Sequence, residues 1–278
     1  MKAGESLREG FKLYLKNPAI ILPYFLFGMF SLFLMNFSAN FVRNSFSSIK
    51  ITSPLQILLL QKEFASALSA VILRNILFAI IVILIFALVD SFVKAYTIGM
   101  AEKIAKRGRA RLRDGLQGSF RTMQIFGKNI VLALLLLFGF GLLLLTSAVL
   151  LGRLALLAFI PAAIIYSFIV YSVSFFASQS IIIEKKGPWD GIKSSYSFIK
   201  RNMDDAAELI LFIIFVYVTF HVINLASLRL FTHFFSGITM RLLTMAENLL
   251  VGYIIMRPYF IILKTLYFVN NQKIAKKL

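Results

Sequence analysis

Two serines stand three residues ahead of a lysine, in Ser91-Phe92-Val93-Lys94 and Ser197-Phe198-Ile199-Lys200. That spacing sets a hydroxyl beside an amine in some acyl-transferring enzymes. Both lysines, however, fall where an apolar stretch meets a basic one, and an interfacial lysine ordinarily lays its stem along lipid with its ammonium in water. Nothing else completes a nucleophilic site, since the chain has neither a Gly-x-Ser-x-Gly turn nor a Gly-rich phosphate loop. The histidines, His221 and His233, have no Cys beside them and no carboxylates at ligand spacing, so no metal centre, cofactor or catalytic residue is expected. His221 reads instead as an interhelical hydrogen-bond donor with Asn224, which lies nearby on the same helix. The expectation is a protein that is not an enzyme.

Charges inside apolar runs are the stronger lead, because a charge in hydrocarbon is costly and needs a partner or a water-filled cavity. Asp90 interrupts the run that begins at Ile76, with Lys94 one helical turn beyond it, and Arg257 interrupts the run Leu249 to Leu263. Glu247 opens that last run. Asp90, Arg257, Lys94 and Glu247 are therefore the candidate intramembrane polar site. Asp90 precedes Glu102 by 12 residues and Arg257 precedes Asn270 by 13, so equivalent helices would hold the two charges at nearly one depth, where an ion pair is expected. Asp204, Asp205 and Glu208 gather where a helix N-terminus favours carboxylates. Gly139 and Gly141 read as close-packing positions between helices.

The elements that carry these residues follow from composition. A hydrophobic content of 59%, 29 Phe and a mean hydropathy of +0.84 exceed what one soluble core uses. The net charge of +18 would suit a nucleic-acid binder only if concentrated on a soluble face, whereas here Lys and Arg lie between apolar runs. Without Cys the redox compartment is unconstrained, and the polar opening residues Met1 to Lys16 do not form a cleavable signal. Six helical spans are expected, near Ala19 to Val42, Asn75 to Met100, Ile130 to Leu151, Leu154 to Ile183, Ala206 to Ala226 and Glu247 to Phe268. The fourth is long enough to need a tilt or a kink at Pro161. Pro54 to Leu73 and Ser227 to Met245 are apolar but charged, which suits helices lying in the interface; a seventh span at Pro54 to Leu73 would bury Lys62 and Glu63.

One pattern recurs three times, each time on a basic stretch ahead of a long apolar run: Leu7, Phe11, Tyr14; Leu116, Phe120, Met123; Ile192, Tyr196, Ile199. The i, i+4, i+7 spacing places each triplet on one helical face. The fold class expected is therefore all-α: a six-helix integral membrane bundle, a single transmembrane domain of residues 1–278 built from three parallel repeats near 1–102, 103–184 and 185–278. Each repeat is a cytoplasmic amphipathic helix plus a transmembrane hairpin. These helices are expected near Glu5 to Lys16, Asp114 to Phe126 and Asp190 to Arg201, with Asp114 and Asp190 as N-caps. Lys and Arg number four in the N-terminal segment, nine from Lys94 to Lys128, five from Lys185 to Arg201 and four from Lys264 onward, against seven on the opposite side. The bias puts both termini in the cytoplasm of a multi-pass cell-membrane protein. Lys12, Arg121, Lys193 and Lys200 then form a cytoplasmic face for anionic inner-leaflet lipid or for a protein partner; no nucleic acid is expected as a partner.

The order of amphipathic helix, apolar hairpin and then SIIIEKKGPWDGIKSSYSFIKRN, with Ile183-Glu184, Gly187, Gly191 and Ser195, resembles poorly characterised bacterial and archaeal polytopic proteins related to the membrane domain of glycerophosphodiester phosphodiesterases. In those enzymes a separate soluble domain carries the hydrolase, so the resemblance implies no hydrolytic activity. Mitochondrial carriers share the plan of three two-span repeats, but their Pro-x-Asp/Glu-x-x-Lys/Arg signature is absent from all three repeats. Two functions remain open. One is transport or binding of a small solute or lipid in a cavity between the repeats; the other is an accessory or scaffolding role on the basic cytoplasmic face.

Overall fold

In the computed structural model, which describes residues 2–47, 61–151, 155–231, 244 and 246–275, every regular element among the described residues is helical. The order is α1 (Ala3–Lys16), a 3-10 turn (Pro18–Ile20), α2 (Ile21–Ser47), α3 (Gln61–Arg107), α4 (Leu112–Ser119), α5 (Thr122–Leu151), α6 (Ala155–Val173), α7 (Ala177–Ile183), α8 (Pro188–Arg201), α9 (Met203–Phe231), a π-helical stretch (Asn248–Met256) and α10 (Arg257–Ala275). Six stretches among them are long and apolar enough to cross a membrane: Pro18–Ser45, Ser69–Arg107, Thr122–Leu150, Ala155–Ile183, Met203–Ser227 and Asn248–Gln272. Their outward faces carry apolar side chains such as Phe138, Val149 and Leu150, each more than three-quarters exposed. Such faces suit hydrocarbon, whereas the backbone polar groups must be met within the helices. The result is an all-helical, multi-pass membrane architecture.

The buried core lies toward the end of the bundle that carries the short basic helices. One cluster joins Tyr14, Ile20, Tyr24 and Phe27 to Ile98, Met100 and Ile104 of α3 and Ile262 of α10. The other joins Phe176 and Phe198 to Leu209 and Ile213 of α9 and to Phe260, Tyr267 and Phe268 of α10. Side chains at the corners tie this end together. Asn17 donates to the carbonyl of Gly108 at 3.1 Å and accepts from the N–H of Ala110 at 3.1 Å, and Gln272 donates to Glu184.

Each short helix lies against its neighbours through small residues. Gly10 of α1 meets Leu263 of α10, with room for a Cβ at 3.5 Å. On α4, a Cβ on Gly118 would drive into the carbonyl of Ala95, and one on Gly115 into the Tyr96 ring. On α8, a Cβ on Gly191 would stand 2.5 Å from Cγ1 of Ile181, and the Ser195 hydroxyl accepts from the N–H of Phe176 at 3.0 Å. Close backbone approach of this kind is how helices associate in lipid. The apolar triplets largely face away. Phe11, Leu116, Phe120, Met123 and Tyr196 are exposed, while Tyr14 and Ile192 are buried.

Several expectations need correction. The second short helix ends at Ser119, and the residues expected to continue it to Phe126 enter α5, which begins at Thr122. Asp114 is not an N-cap but the third residue of its helix, where it accepts from the N–H of Arg111 at 2.7 Å; Glu5 does the same for Lys2 at 3.2 Å, and Asp190 holds the third place of α8. Residues Gln61 to Leu73 do not form a separate interfacial helix: they continue into α3, a 47-residue helix, about 70 Å long at 1.5 Å per residue. The rest of that expected segment, and most of Ser227 to Met245, lies outside the described residues. The fourth span is broken not at Pro161, which sits within α6, but at the turn between Val173 and Ala177. Gly139 is a close contact, since a Cβ there would enter the Tyr166 ring, but Gly141 faces open space.

The π-helical stretch has a local cause. Pro258 offers no N–H to the carbonyl of Ile254 four residues back, and its ring crowds that carbonyl. The turn widens, so the N–H of Arg257 reaches the carbonyl of Gly252, and the freed carbonyl of Ile254 accepts instead from the Tyr14 hydroxyl at 2.8 Å. Burial raises the pKa of Tyr14 above its ordinary value, which keeps it a neutral donor.

Candidate functional site

A cavity of about 770 Å³ lies among the spans, with residues from α2, α3, α5, α6, α7, α9 and α10 in its wall. Three helices bring its charges together. Asp90 of α3 is buried and pairs with Lys94 of its own helix at 2.5 Å and with Arg257 of α10 at 3.6 Å. The i, i+4 spacing of Asp90 and Lys94 puts both on one helical face. Arg257 follows the π-helical stretch directly, and its guanidinium lies over Tyr253 at 4.2 Å and Phe27 at 5.7 Å. The widened turn thus aims the side chain back into the bundle, where an aromatic face and a carboxylate receive it.

Two further lysines enter the same cavity, and sequence reasoning left both out of the site. Lys128 of α5 is 7% exposed, and its ammonium donates to the Ser178 hydroxyl at 3.0 Å. Lys264 of α10 lies over the Phe175 ring at 3.7 Å. Neither has a carboxylate within ion-pair distance among the described residues. A signal for Lys264 exists in its place inside the expected sixth span, whereas Lys128 stands two residues ahead of the expected third span and falls within Thr122–Leu150 only in the structure; by sequence both count with the flanking basic residues. Ser174 and Gln179 add polar groups to the wall, while Phe86, Leu132, Phe168, Ile213 and Val218 make much of it apolar.

The other candidate positions fall elsewhere. Glu247 precedes Arg257 by ten residues and has no place in the cavity wall. Lys12, Lys193 and Lys200 are exposed on the short helices, and Arg121 donates to the carbonyl of Lys186 at 3.5 Å. Neither Ser-x-x-Lys sequence forms a dyad. Ser91 donates to the carbonyl of Ala87 at 2.6 Å and accepts from Asn129 at 3.0 Å while Lys94 pairs with Asp90, and Ser197 and Lys200 are both exposed. His221 does not bond Asn224, which donates across to Asn248 at 3.4 Å. No group of three or more His, Cys, Asp or Glu that could hold a metal occurs among the described residues. The chain matches no protein-family model, no curated protein and no solved structure.

Proposed function

We propose that this is a non-enzymatic cell-membrane protein that binds or passes a small solute or lipid in a cavity between three parallel repeats, with both termini cytoplasmic. The observation that carries the reading is the cavity of about 770 Å³ itself, walled from most of the candidate spans and lined by charged side chains that those spans carry. Its volume falls in the range of small-molecule sites, about 300–1,000 Å³, and intramembrane charge marks a binding or transport path.

The repeat reading is supported by three contacts at corresponding places. Ala95, Ala177 and Leu263 lie at like distances before Glu102, Glu184 and Asn270, and each meets a small residue of a short helix: Gly118, Gly191 and Gly10 in turn. Every short helix therefore rests on the second span of the repeat before it, and α1 rests on α10 as if the chain were circular. The exposed Phe11, Phe120 and Tyr196 on these helices, beside Lys12, Arg121 and Lys193, suit the headgroup layer of the inner leaflet.

The chain has no Cys, so a single introduced thiol reports on the cavity without background. Ser174→Cys in the reconstituted protein is expected to react with a membrane-impermeant methanethiosulfonate, while Ser195→Cys, at a fully buried helix contact, is expected to stay unreactive. Failure of Ser174→Cys to react at all would remove the cavity reading.

A further inference from the structure

We infer that the ligand of this cavity is an anionic amphiphile with a phosphate headgroup, its charge met by Lys128 and Lys264 and its tail by the apolar wall; the inference rests on the cavity being accessible as proposed above. Four cations, Lys94, Lys128, Arg257 and Lys264, face the cavity against one carboxylate, Asp90, among the lining residues. Asp90 is taken up by Lys94 and Arg257. That leaves Lys128 and Lys264, on α5 and α10, as a pair of ammonium groups without a carboxylate partner among the described residues; Lys128 meets the Ser178 hydroxyl, and Lys264 the Phe175 and Tyr171 rings.

An ammonium set in a largely apolar wall without a counter-charge is costly, and a close, hydrogen-bonded anionic partner offsets that cost. A bound phosphate supplies such a partner, because its oxygens accept charge-assisted hydrogen bonds from lysine. Gln179 adds a polar side chain to the same wall: it is 2% exposed, it lines the cavity, and its enclosed amide oxygen has no hydrogen-bond partner among the described residues, an unmet acceptor beside the two lysines. The rest of the wall argues against a free anion. Phe86, Leu132, Phe168, Ile213 and Val218 offer an inorganic phosphate nothing, and the cavity is far larger than one phosphate needs; a headgroup that carries a hydrocarbon tail uses both halves of the wall.

Protection of Ser174→Cys from the thiol reagent tests this with three probes: lysophosphatidic acid, monoacylglycerol of the same chain length, and inorganic phosphate. Lysophosphatidic acid is expected to protect at a concentration at least tenfold below that of monoacylglycerol, with phosphate ineffective at millimolar concentration. Lys128→Met and Lys264→Gln, alone and combined, are expected to weaken that protection at least tenfold, while Arg109→Gln, exposed and outside the cavity wall, leaves it unchanged. Lys128→Met removes an unpaired buried charge and should fold at least as well as the parent, and Lys264→Gln keeps a polar group should it not. Equal protection by lysophosphatidic acid and monoacylglycerol, or undiminished protection in the double variant, would overturn the anion site with the cavity intact. Protection by inorganic phosphate as strong as by the lipid would overturn the amphiphile. A thiol that never reacts overturns the cavity reading and this inference with it.

Discussion

Asp90 holds two cations, and the geometry ranks what each partner is worth. Replacing Asp90 by Asn leaves Lys94 and Arg257 facing each other without a counter-charge, whereas replacing Arg257 by Gln leaves the 2.5 Å pair of Asp90 with Lys94 in place. Breaking a dry buried pair from one side costs about 3–5 kcal/mol. Here the Arg257 side chain is 32% exposed to the cavity, so Asp90→Asn is expected to cost less, about 2 kcal/mol, with Arg257→Gln clearly below it; thermal unfolding in detergent measures both, and the reverse order would show that Lys94 does not hold Asp90. A second residue-scale consequence concerns Pro258. Tyr14→Phe strips the Ile254 carbonyl of its hydroxyl donor, a loss of about 1–3 kcal/mol. Pro258→Ala restores the missing N–H, so in the Pro258→Ala background Tyr14→Phe should cost much less, and a double-mutant cycle without coupling would refute that account. The two sites differ in how legible they were. Asp90 and Arg257 could be placed at one depth by counting back along two helices, but the π-helical turn that aims Arg257, and the reach of Tyr14 across 240 residues, depend on tertiary contacts that no local pattern contains.

At the scale of elements, hydropathy located the six spans to within a few residues at most ends, because in lipid the helix must satisfy its own backbone and length is set by bilayer thickness. The short helices lie close to the stretches expected for them, except that the second ends at Ser119. Apolar triplets at i, i+4, i+7 would face the core of a soluble protein; here Phe11, Phe120 and Tyr196 face outward, and Ser6, Gly10, Gly115, Gly118, Gly191 and Ser195 form the buried seams. Lipid is as apolar as leucine, so close approach between backbones, which small residues permit, takes over the role that apolar burial has in water. Gly118→Ala should consequently destabilise by well over 1 kcal/mol, since its Cβ meets a backbone carbonyl that cannot move aside. Gly141→Ala, in open space within α5, should be neutral or stabilising by up to about 1 kcal/mol from helix propensity alone. Unfolding of the two variants side by side is the check, and equal effects would mean that the α3–α4 seam is not tightly packed.

For the molecule as a whole, the contact of α1 with α10 has a topological consequence. Each proposed repeat crosses the membrane twice and begins and ends on one side, so moving a repeat from one end of the chain to the other changes neither the side on which any loop lies nor the charge bias that orients it. The link between α7 and α8 is a suitable place to open the chain, because Lys185 there holds a left-handed backbone with φ of 60°, a strained conformation for a residue with a side chain. A circular permutant that starts at Lys186, runs through Leu278 into Met1 and ends at Lys185 keeps every seam between a short helix and the span it rests on. The Gly191 and Ser195 contacts of α8 with Ile181 and Phe176 then become contacts between the two ends of the new chain, as those of α1 with α10 are in the present one. The permutant is expected to elute as a single sharp species in detergent, to unfold within a few degrees of the parent and to keep Ser174→Cys reactive. Thiols introduced at Gly108 and at Gly187 should label from one side of the membrane in both forms, with Asn44→Cys labelling from the other. A permutant that only aggregates, or that shows position 108 and position 187 on opposite sides, would break the cyclic arrangement of parallel hairpins on which the shared cavity depends.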